Sequence, residues 1–136
     1  MIGVVVVTHS GLAHELQQAA EMIIGELKAV ATISIDRDSS MELAKESLKK
    51  ALEQVNPDGD GVLILTDLFG GTPTNVSADF LQAGQIEILT GVNLPMLLKC
   101  VSARLDHNVE ELAILLKDYA RNAIMRPAEL LRSVEA

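Results

Sequence analysis

Four short apolar runs without polar alternation recur along the chain. The first contains four consecutive valines at residues 4–7, and comparable runs follow at Val30–Ile35, Val62–Thr66 and Ile86–Thr90. Runs of this kind are typical of strands that are buried on both faces, as in parallel sheets covered by helices. The pattern therefore predicts four buried parallel strands.

The segments between these runs have apolar residues at helical spacing. Residues 12–27 and 41–55 are two such segments, and a further helix is predicted to begin at Asn108, with Glu111 completing a capping pattern. Ser39 with Glu42 predicts a capping box at the start of the second helix. The apolar positions are Leu12, Leu16, Ala19, Ala20, Ile23, Ile24 and Leu27 in the first segment, and Met41, Ala44, Leu48, Ala51, Leu52 and Val55 in the second.

Alternating strands and helices predict the fold class. Right-handed crossovers place helices on both faces of a sheet, so we expect a doubly wound, mostly parallel four-stranded α/β sheet of flavodoxin-like order. No linker or repeat divides the chain, which predicts a single domain over residues 1–136. The apolar segment 123–127 predicts an added C-terminal edge strand, followed by a tail over residues 128–136.

Composition excludes several classes of function. The 136 residues carry 11 basic and 19 acidic side chains, a net charge of −8, and only 2% are aromatic, which argues against nucleic-acid binding. The apolar run near the amino terminus is far too short to span a membrane. A single cysteine, Cys100, cannot form an internal disulfide, which favours a cytoplasmic protein. We expect the methionines Met22, Met41, Met96 and Met125 to fill the core.

The candidate catalytic residues follow the ends of the first and third predicted strands. Ligands bind beyond the carboxyl ends of parallel strands, where the strand order reverses. In a flavodoxin-like order His9 and Asp67 project from adjacent strand ends and can form a hydrogen-bonded pair. If Asp67 accepts the proton on Nδ1, then Nε2 of His9 is free to attack an electrophile. The alternative is a polar pair that merely closes the strand ends.

The loop after the third strand has the composition of an anion site. Gly70 and Gly71 permit close backbone approach, Thr72 is predicted to cap a helix, and Pro73 suits the first helical position. Facing a histidine, this turn suggests a site for a small, doubly charged group such as phosphoryl. The same residues are equally typical of an ordinary strand-to-helix turn. Neither the Walker loop nor the G-x-G-x-x-G fingerprint of dinucleotide-binding proteins is present.

Other combinations of residues give weaker hypotheses. His14 lacks a partner four residues on for a zinc helix, and His107 is expected to be solvated. The turn at residues 58–61 resembles part of a calcium loop, but Phe69 stands where the glutamate ligand belongs. No metal site is predicted.

Three sequence blocks together resemble the enzyme IIA proteins of the mannose-type (mannose/fructose/sorbose) sugar phosphotransferase system. The resemblance extends to about Ile124 with the spacing of that family. The blocks are Val7-Thr8-His9-Ser10-Gly11-Leu12-Ala13, Asp67-Leu68-Phe69-Gly70-Gly71-Thr72-Pro73-Thr74-Asn75 and Gly91-Val92-Asn93-Leu94-Pro95-Met96.

The resemblance implies a phosphohistidine carrier. His9 would accept a phosphoryl group from the histidine-containing phosphocarrier protein and pass it to a IIB component for sugar uptake and phosphorylation. Asp67 would hold the other ring nitrogen, and the turn Gly70-Gly71-Thr72 would lie beside the phosphoryl group. No cofactor is implied, and no metal is needed because neither partner is a nucleotide polyphosphate. Members are typically homodimers with an exchanged C-terminal strand, and they reach the membrane only indirectly, through a permease complex.

Several features differ from the family or leave alternatives open. Many members carry glycine where this chain has Ser10, whose hydroxyl is expected either to donate to the phosphoryl group or to cap the first helix. Phe69 and Met96 are candidate partner contacts, with ordinary loop packing as the alternative. No IIB domain is fused to these residues, so the acceptor is expected to be a separate protein.

Three other functions compete with the sugar-transport interpretation. A regulatory phosphoacceptor that moves no sugar would use the same His9 chemistry. Subunits of dihydroxyacetone kinase share the fold and an early histidine, but the block from Asp67 to Asn75 fits the sugar family better. A nucleotide binder of flavodoxin-like fold lacks any fingerprint.

Overall fold

A computed structural model describes residues 1–135 of the protein, with side chains through Arg132. Strands and helices alternate as the apolar pattern predicts, and three helices follow the last strand. The elements are β1 (Gly3–His9), α1 (Leu12–Ile24), β2 (Val30–Ile35), α2 (Met41–Gln54), β3 (Val62–Thr66), α3 (Thr72–Ala78), β4 (Ile86–Thr90), α4 (Leu94–Ala103), α5 (Val109–Asn122) and α6 (Pro127–Glu135).

The four strands form one parallel sheet in the order β2-β1-β3-β4. The chain passes from β1 to one side to form β2 and then returns to the other side to form β3. The strand order therefore reverses between β1 and β3, and the predicted doubly wound fold is confirmed. Register places Val7 beside Thr66 and His9 beside Ile35.

Consecutive valines of β1 form the centre of two separate cores. Val4 and Val6 pack with α1, α4 and α5 on one face, whereas Val5 and Val7 pack with α2 and α3 on the other. All four valines have 0% exposure, because side chains of a strand alternate between faces and both faces are covered here.

Local signals set the ends of the helices, with some differences from the predictions. The first helix ends at Ile24, earlier than predicted, because Gly25 adopts a φ of 85° that a helix cannot continue. The predicted cap at Ser39 is wrong: Ser40 caps α2 by accepting from the Leu43 amide, and Ser39 closes the preceding turn. The capping box of Asn108 and Glu111 is confirmed.

The C-terminal segment differs from the predicted edge strand. Residues 124–126 join no sheet within the described chain, and a helix begins at Pro127 and continues through Glu135. Proline suits the first helical position, and the following alanine, glutamate and leucines favour a helix. The expected tail at 128–136 is therefore helical as far as Glu135, and Ala136 lies outside the described residues.

Three of the four methionines assigned to the core are exposed. Met22, Met41 and Met125 are 90%, 47% and 63% exposed, and only Met96 is buried. Helical spacing identifies an apolar stripe, but Met22 lies on the side of α1 that faces away from the sheet. The core prediction is therefore wrong for these three residues.

Candidate functional site

His9 and Asp67 meet at the point where the strand order reverses. His9 is the last residue of β1, and Asp67 directly follows β3. Because β1 and β3 are neighbours in the sheet, their carboxyl ends present these two side chains to each other. The predicted juxtaposition of the two residues is present in the structure.

The Asp67 carboxylate holds His9 by both its backbone and its ring. Oδ2 of Asp67 accepts from the His9 amide at 2.9 Å and lies 2.8 Å from the ring Nδ1. Its second oxygen, Oδ1, accepts from the Leu68 amide at 3.0 Å. The Asp67 side chain is 11% exposed, whereas that of His9 is 49% exposed. Asp67 thus fixes the orientation of the ring, and the Nε2 edge remains accessible.

The electrostatics of Asp67 favour the ionised carboxylate. Burial acts to raise its pKa, but hydrogen bonds from the backbone and ring of His9 and the charge of the ring outweigh that effect. The pKa of Asp67 therefore lies below its ordinary value. An ionised Asp67 selects the ring tautomer with a proton on Nδ1, which leaves the lone pair on Nε2.

Gly71 lies against the edge of the His9 ring that carries Nε2. A Cβ atom added at Gly71 would lie 2.8 Å from Cε1 of His9 and 3.3 Å from Nε2. Thr74 anchors this loop: its hydroxyl donates to the Leu68 carbonyl at 2.6 Å, and its oxygen lies 2.8 Å from that of Thr66. The close approach thus requires a residue without a side chain at position 71.

Thr72 is the first residue of α3 rather than its cap. Gly71 occupies the N-cap position with an extended backbone, and no side chain caps the helix. The predicted cap at Thr72 is therefore wrong by one position. Gly70 has a φ of 92° and turns the chain so that the glycine pair passes beside the histidine.

Ser10 lies at a backbone position that favours glycine. Its φ is 49°, in the left-handed region, and its amide donates to the Ile35 carbonyl at 2.9 Å. Ser10 does not cap α1, because Gly11 is the N-cap and the hydroxyl of Thr8 accepts from the Ala13 amide at 2.7 Å. Of the two expected roles for the Ser10 hydroxyl, helix capping is excluded.

A cleft of about 580 Å³ opens beside the histidine. Four of its ten lining residues come from the loop between β2 and α2, which contains none of the predicted site residues. Applying the strand-end rule to β2 would have found it, since Ile35 is the residue paired with His9. The lining residues are His9, Ser10, Ile35, Asp36, Arg37, Ser39, Ser40, Met41, Ala44 and Thr72.

The block after β4 has a structural role. Asn93 caps α4 by accepting from the Met96 amide at 2.9 Å, and its side-chain amide donates to the Ala120 carbonyl at 3.3 Å. Met96 is 2% exposed and belongs to the core, so its predicted place on a partner-facing rim is wrong. Phe69, the other predicted contact, is 83% exposed.

Neither of the remaining histidines lines the cleft beside His9. His14 is an exposed residue of α1, and Nδ1 of His107 lies 2.8 Å from the Ala103 carbonyl oxygen. Within residues 1–135, no three histidine, cysteine or acidic side chains come together as a metal site. No helix of that same part of the chain is long and apolar enough to cross a membrane.

Together the fold and the paired residues define a class of protein: a doubly wound α/β domain with a carboxylate-paired histidine where the strand order reverses. A family model described as "PTS system fructose IIA component" matches residues 3–116. The chain therefore belongs to the mannose-type EIIA family of the sugar phosphotransferase system, whose members are phosphotransferases.

Curated relatives agree with this family. The chain is 30% identical over 136 residues to the fructose-specific EIIA component of Bacillus subtilis, covering 99% of this chain and 92% of that protein. It is 31% identical over 125 residues to the mannose-specific EIIAB component of Escherichia coli, covering 90% of this chain. The chain spans only 38% of that longer protein.

Solved structures show the same architecture. An EIIA component from Streptococcus agalactiae superposes with a TM-score of 0.85 at 27% identity, covering 95% of this chain and 99% of that one. A mannose/sorbose-specific IIA subunit from Enterococcus faecalis gives 0.81, also at 27% identity, covering 92% and 93%.

Proposed function

We propose that His9 is the residue that carries the phosphoryl group, on its Nε2 atom. The observation that carries this proposal is the 2.8 Å contact between Nδ1 of His9 and Oδ2 of Asp67. Because Nδ1 is committed to the carboxylate, Nε2 is the available nucleophile, on a ring that is 49% exposed.

The transfer exchanges one P–N bond for another. The lone pair on Nε2 of His9 attacks phosphorus, the P–N bond of the donor phosphohistidine breaks, and its electron pair returns to the donor ring. The proton on Nδ1 stays on His9 and is held by Asp67, whose negative charge stabilises the positive ring that forms. Passing the group onward reverses these steps. Because each transfer replaces one P–N bond with another, the free energies of the phosphoryl group on the donor and on His9 are nearly balanced.

The turn beside the ring supplies donors for the phosphoryl oxygens. Gly71 lies against the Nε2 edge of His9, Gly70 and Thr72 flank it in the chain, and Ser10 and Thr72 line the cleft beside the ring. Preorganised donors of this kind stabilise charge during in-line transfer without reorganisation. We assign phosphoryl binding to these four residues.

The partners follow from the family of phosphotransferases. We assign the histidine-containing phosphocarrier protein as donor and a IIB component as acceptor, in a cytoplasmic relay that supports sugar uptake and phosphorylation. Phe69 is suited to contact both partners, because it adjoins the turn and is 83% exposed.

Intact mass measurement tests the phosphorylated residue. The protein is incubated with enzyme I, the phosphocarrier protein and phosphoenolpyruvate, and we expect an acid-labile gain of about 80 Da. The gain disappears in His9→Ala and persists in the matched controls His14→Ala and His107→Ala. Label on another residue with His9 unmodified contradicts the assignment.

A second measurement separates sugar transport from the regulatory alternative. Purified phosphoprotein is mixed with candidate IIB components, and transport predicts rapid loss of label from His9 to one of them. Stable label with every candidate, combined with state-dependent binding of another protein, favours the regulatory role.

We further propose a homodimer formed at the edge of the sheet that β4 provides. β4 is an outer strand of the sheet, with β3 as its one neighbouring strand in the described residues, and the exposed apolar residues Ile124 and Met125 follow α5. An unpaired strand edge invites pairing with a second chain. Light scattering should give nearly twice the 14.6 kDa chain mass, and Ile124→Asp should shift the protein toward monomer. A wild-type monomer at tens of micromolar refutes the dimer.

A further inference from the structure

One basic side chain lines the cleft that contains the reactive histidine. Among the lining residues of this cleft, Arg37 is the only arginine or lysine. It lies in the loop between β2 and α2, two positions beyond Ile35, the residue paired with His9. The cleft therefore brings one full positive charge to the side of the sheet where Nε2 is accessible.

The turn that carries Arg37 is held at both ends. The Asp36 amide donates to the Ser39 hydroxyl oxygen at 2.9 Å, and the Ser39 amide donates to the Asp36 carbonyl at 3.0 Å. Directly before it, the Ile35 carbonyl accepts from the Ser10 amide at 2.9 Å. These bonds attach the turn to the end of β1, so the base of Arg37 keeps a fixed position relative to the histidine.

The guanidinium of Arg37 has no partner among the side chains that the structure describes, which extend to Arg132, or among the described backbone atoms. The ion pairs of that part of the chain join other residues, and no hydrogen bond of the Arg37 side chain is present. Arg104, in contrast, donates to three backbone carbonyls. An arginine that leaves its sequence neighbours Asp36 and Asp38 unpaired is available to an external anion.

Phosphorylation creates an anion that needs such a cation. A phosphoryl group adds about −1.5 to −2 charge at pH 7 to a chain whose net charge is already −8. The ionised Asp67 holds the same ring, and Asp36 lines the same cleft, so both carboxylates oppose that charge. The backbone amides of the glycine turn offer only partial charges. A guanidinium offers a full charge and two parallel N–H donors that fit phosphate oxygens.

We propose that Arg37 binds the non-bridging oxygens of the phosphoryl group on His9 and thereby completes the phosphoryl site from the β2 side. This inference rests on the proposed function of His9. Arg37 forms no covalent bond and transfers no proton, and it stabilises the dianion both during transfer and in the phosphorylated protein. The phosphoryl group then lies between the Gly70–Thr72 turn and the Arg37 turn.

The test compares three variants of the full chain. Arg37→Gln removes the charge and most donors, Arg37→Lys keeps the charge without the planar fork, and Lys49→Gln removes a charge from an exposed position further along α2. Loss of a charged hydrogen bond predicts roughly ten- to a hundredfold slower phosphorylation for Arg37→Gln. Arg37→Lys should recover part of the rate, and Lys49→Gln should match the wild type.

A second readout separates phosphoryl binding from partner docking. Phosphorus NMR of the isolated phosphoprotein follows the titration of the phosphoryl group without any partner. If Arg37 stabilises the dianion, the titration midpoint moves to higher pH in Arg37→Gln and stays unchanged in Lys49→Gln. In the wild type, the Nε–H resonance of Arg37 should also shift on phosphorylation, which tests the contact without any substitution.

The outcomes distinguish this inference from the proposed function. An unchanged titration midpoint in Arg37→Gln overturns the inference, as does slower transfer that is confined to a higher KM for the phosphocarrier protein. Wild-type protein that gains no phosphate on His9 overturns the proposed function itself. Label on His9 with an unmoved Arg37 resonance refutes only the role of Arg37.

Discussion

Substitution of Gly71 tests the geometry of the histidine site most directly. The nearest contacts of an added Cβ are 2.8 Å to Cε1 of His9, 3.2 Å to Cδ1 of Leu68 and 3.3 Å to Nε2 of His9. Carbon atoms pack at about 3.5–4.0 Å, so the ring or the loop must move by roughly 0.7 Å or more in Gly71→Ala. Such a movement disturbs the bond from Nδ1 to Asp67 and covers Nε2.

The expected loss is large in activity and small in stability. A misplacement near 1 Å at a reacting group costs about a hundredfold in rate, which is what we expect for phosphorylation of Gly71→Ala. Gly71 has a φ of −91°, which alanine adopts freely, so the backbone adds no strain. Alanine also lowers the conformational entropy of the unfolded chain, which favours the folded state of the variant by roughly 0.4–1 kcal/mol. This gain opposes the strain of the displaced ring.

Gly84→Ala, in the turn that precedes β4, is the matched control. A Cβ at Gly84 meets nothing within 4 Å, but its φ of 79° strains any other residue. We therefore expect roughly 1–2 kcal/mol of destabilisation with little change at the His9 ring, the reverse of the pattern for Gly71→Ala. The assay combines label uptake by intact mass with thermal unfolding by circular dichroism. Wild-type transfer rates in Gly71→Ala would refute the reasoning.

Three other predictions concern Asp67, Ser10 and Cys100. Asp67→Asn should slow transfer by less than the roughly 10⁴-fold seen for the comparable change in a protease triad, because the leaving group is better here; unchanged rates would make the carboxylate purely structural. Since the folded pKa of Asp67 lies below its unfolded value, its stabilisation is complete above about pH 4 and is lost as pH falls through the folded pKa. Thermal unfolding across pH 2–6, roughly the range that spans ordinary carboxyl pKa values, should therefore show a steeper acid decline in wild type than in Asp67→Asn. Ser10→Gly relieves roughly 1–2 kcal/mol of backbone strain, offset by about 0.5–1 kcal/mol of chain entropy, so thermal stability should hold or rise. Its transfer rate should fall several-fold, and an unchanged rate would show that the hydroxyl does not contact the phosphoryl group. Burial raises the pKa of the Cys100 thiol to about 12, so thiol reagents at pH 8 should label it only at the rate of unfolding; rapid labelling of native protein would contradict its burial.

The sequence alone determined the sheet and the central pair of residues. Strands buried on both faces need uninterrupted apolar runs, and this chain has four, so their positions are readable without tertiary information. The alternation of strands and helices indicated a doubly wound sheet, and in the flavodoxin-like order of such a sheet His9 and Asp67 lie at neighbouring strand ends. The prediction of this pair depended on topology and not on side-chain detail, which is why it succeeded.

Tertiary structure decided which other apolar residues are buried and how the C-terminal segment folds. Met96 and Met22 are both apolar residues within helices, but only the docking of each helix on the sheet buries one and exposes the other. The apolar residues of segment 124–126 are compatible with a strand, but within residues 1–135 no strand pairs with them, and a helix begins at Pro127. Whether a segment finds a neighbouring strand depends on how the sheet packs, which local propensity does not encode.

The contacts within the site could also be known only from the tertiary structure. The approach of Gly71 to Cε1 of His9 and the position of Arg37 in the same cleft depend on the register of β2 beside β1 and on the hydrogen bonds that fix both loops. A sequence pattern specifies which face of an element is buried, because burial follows the period of the backbone. Distances between loops that are far apart in sequence arise only when the elements pack, and those distances decide which side chains and amides can share one phosphoryl group.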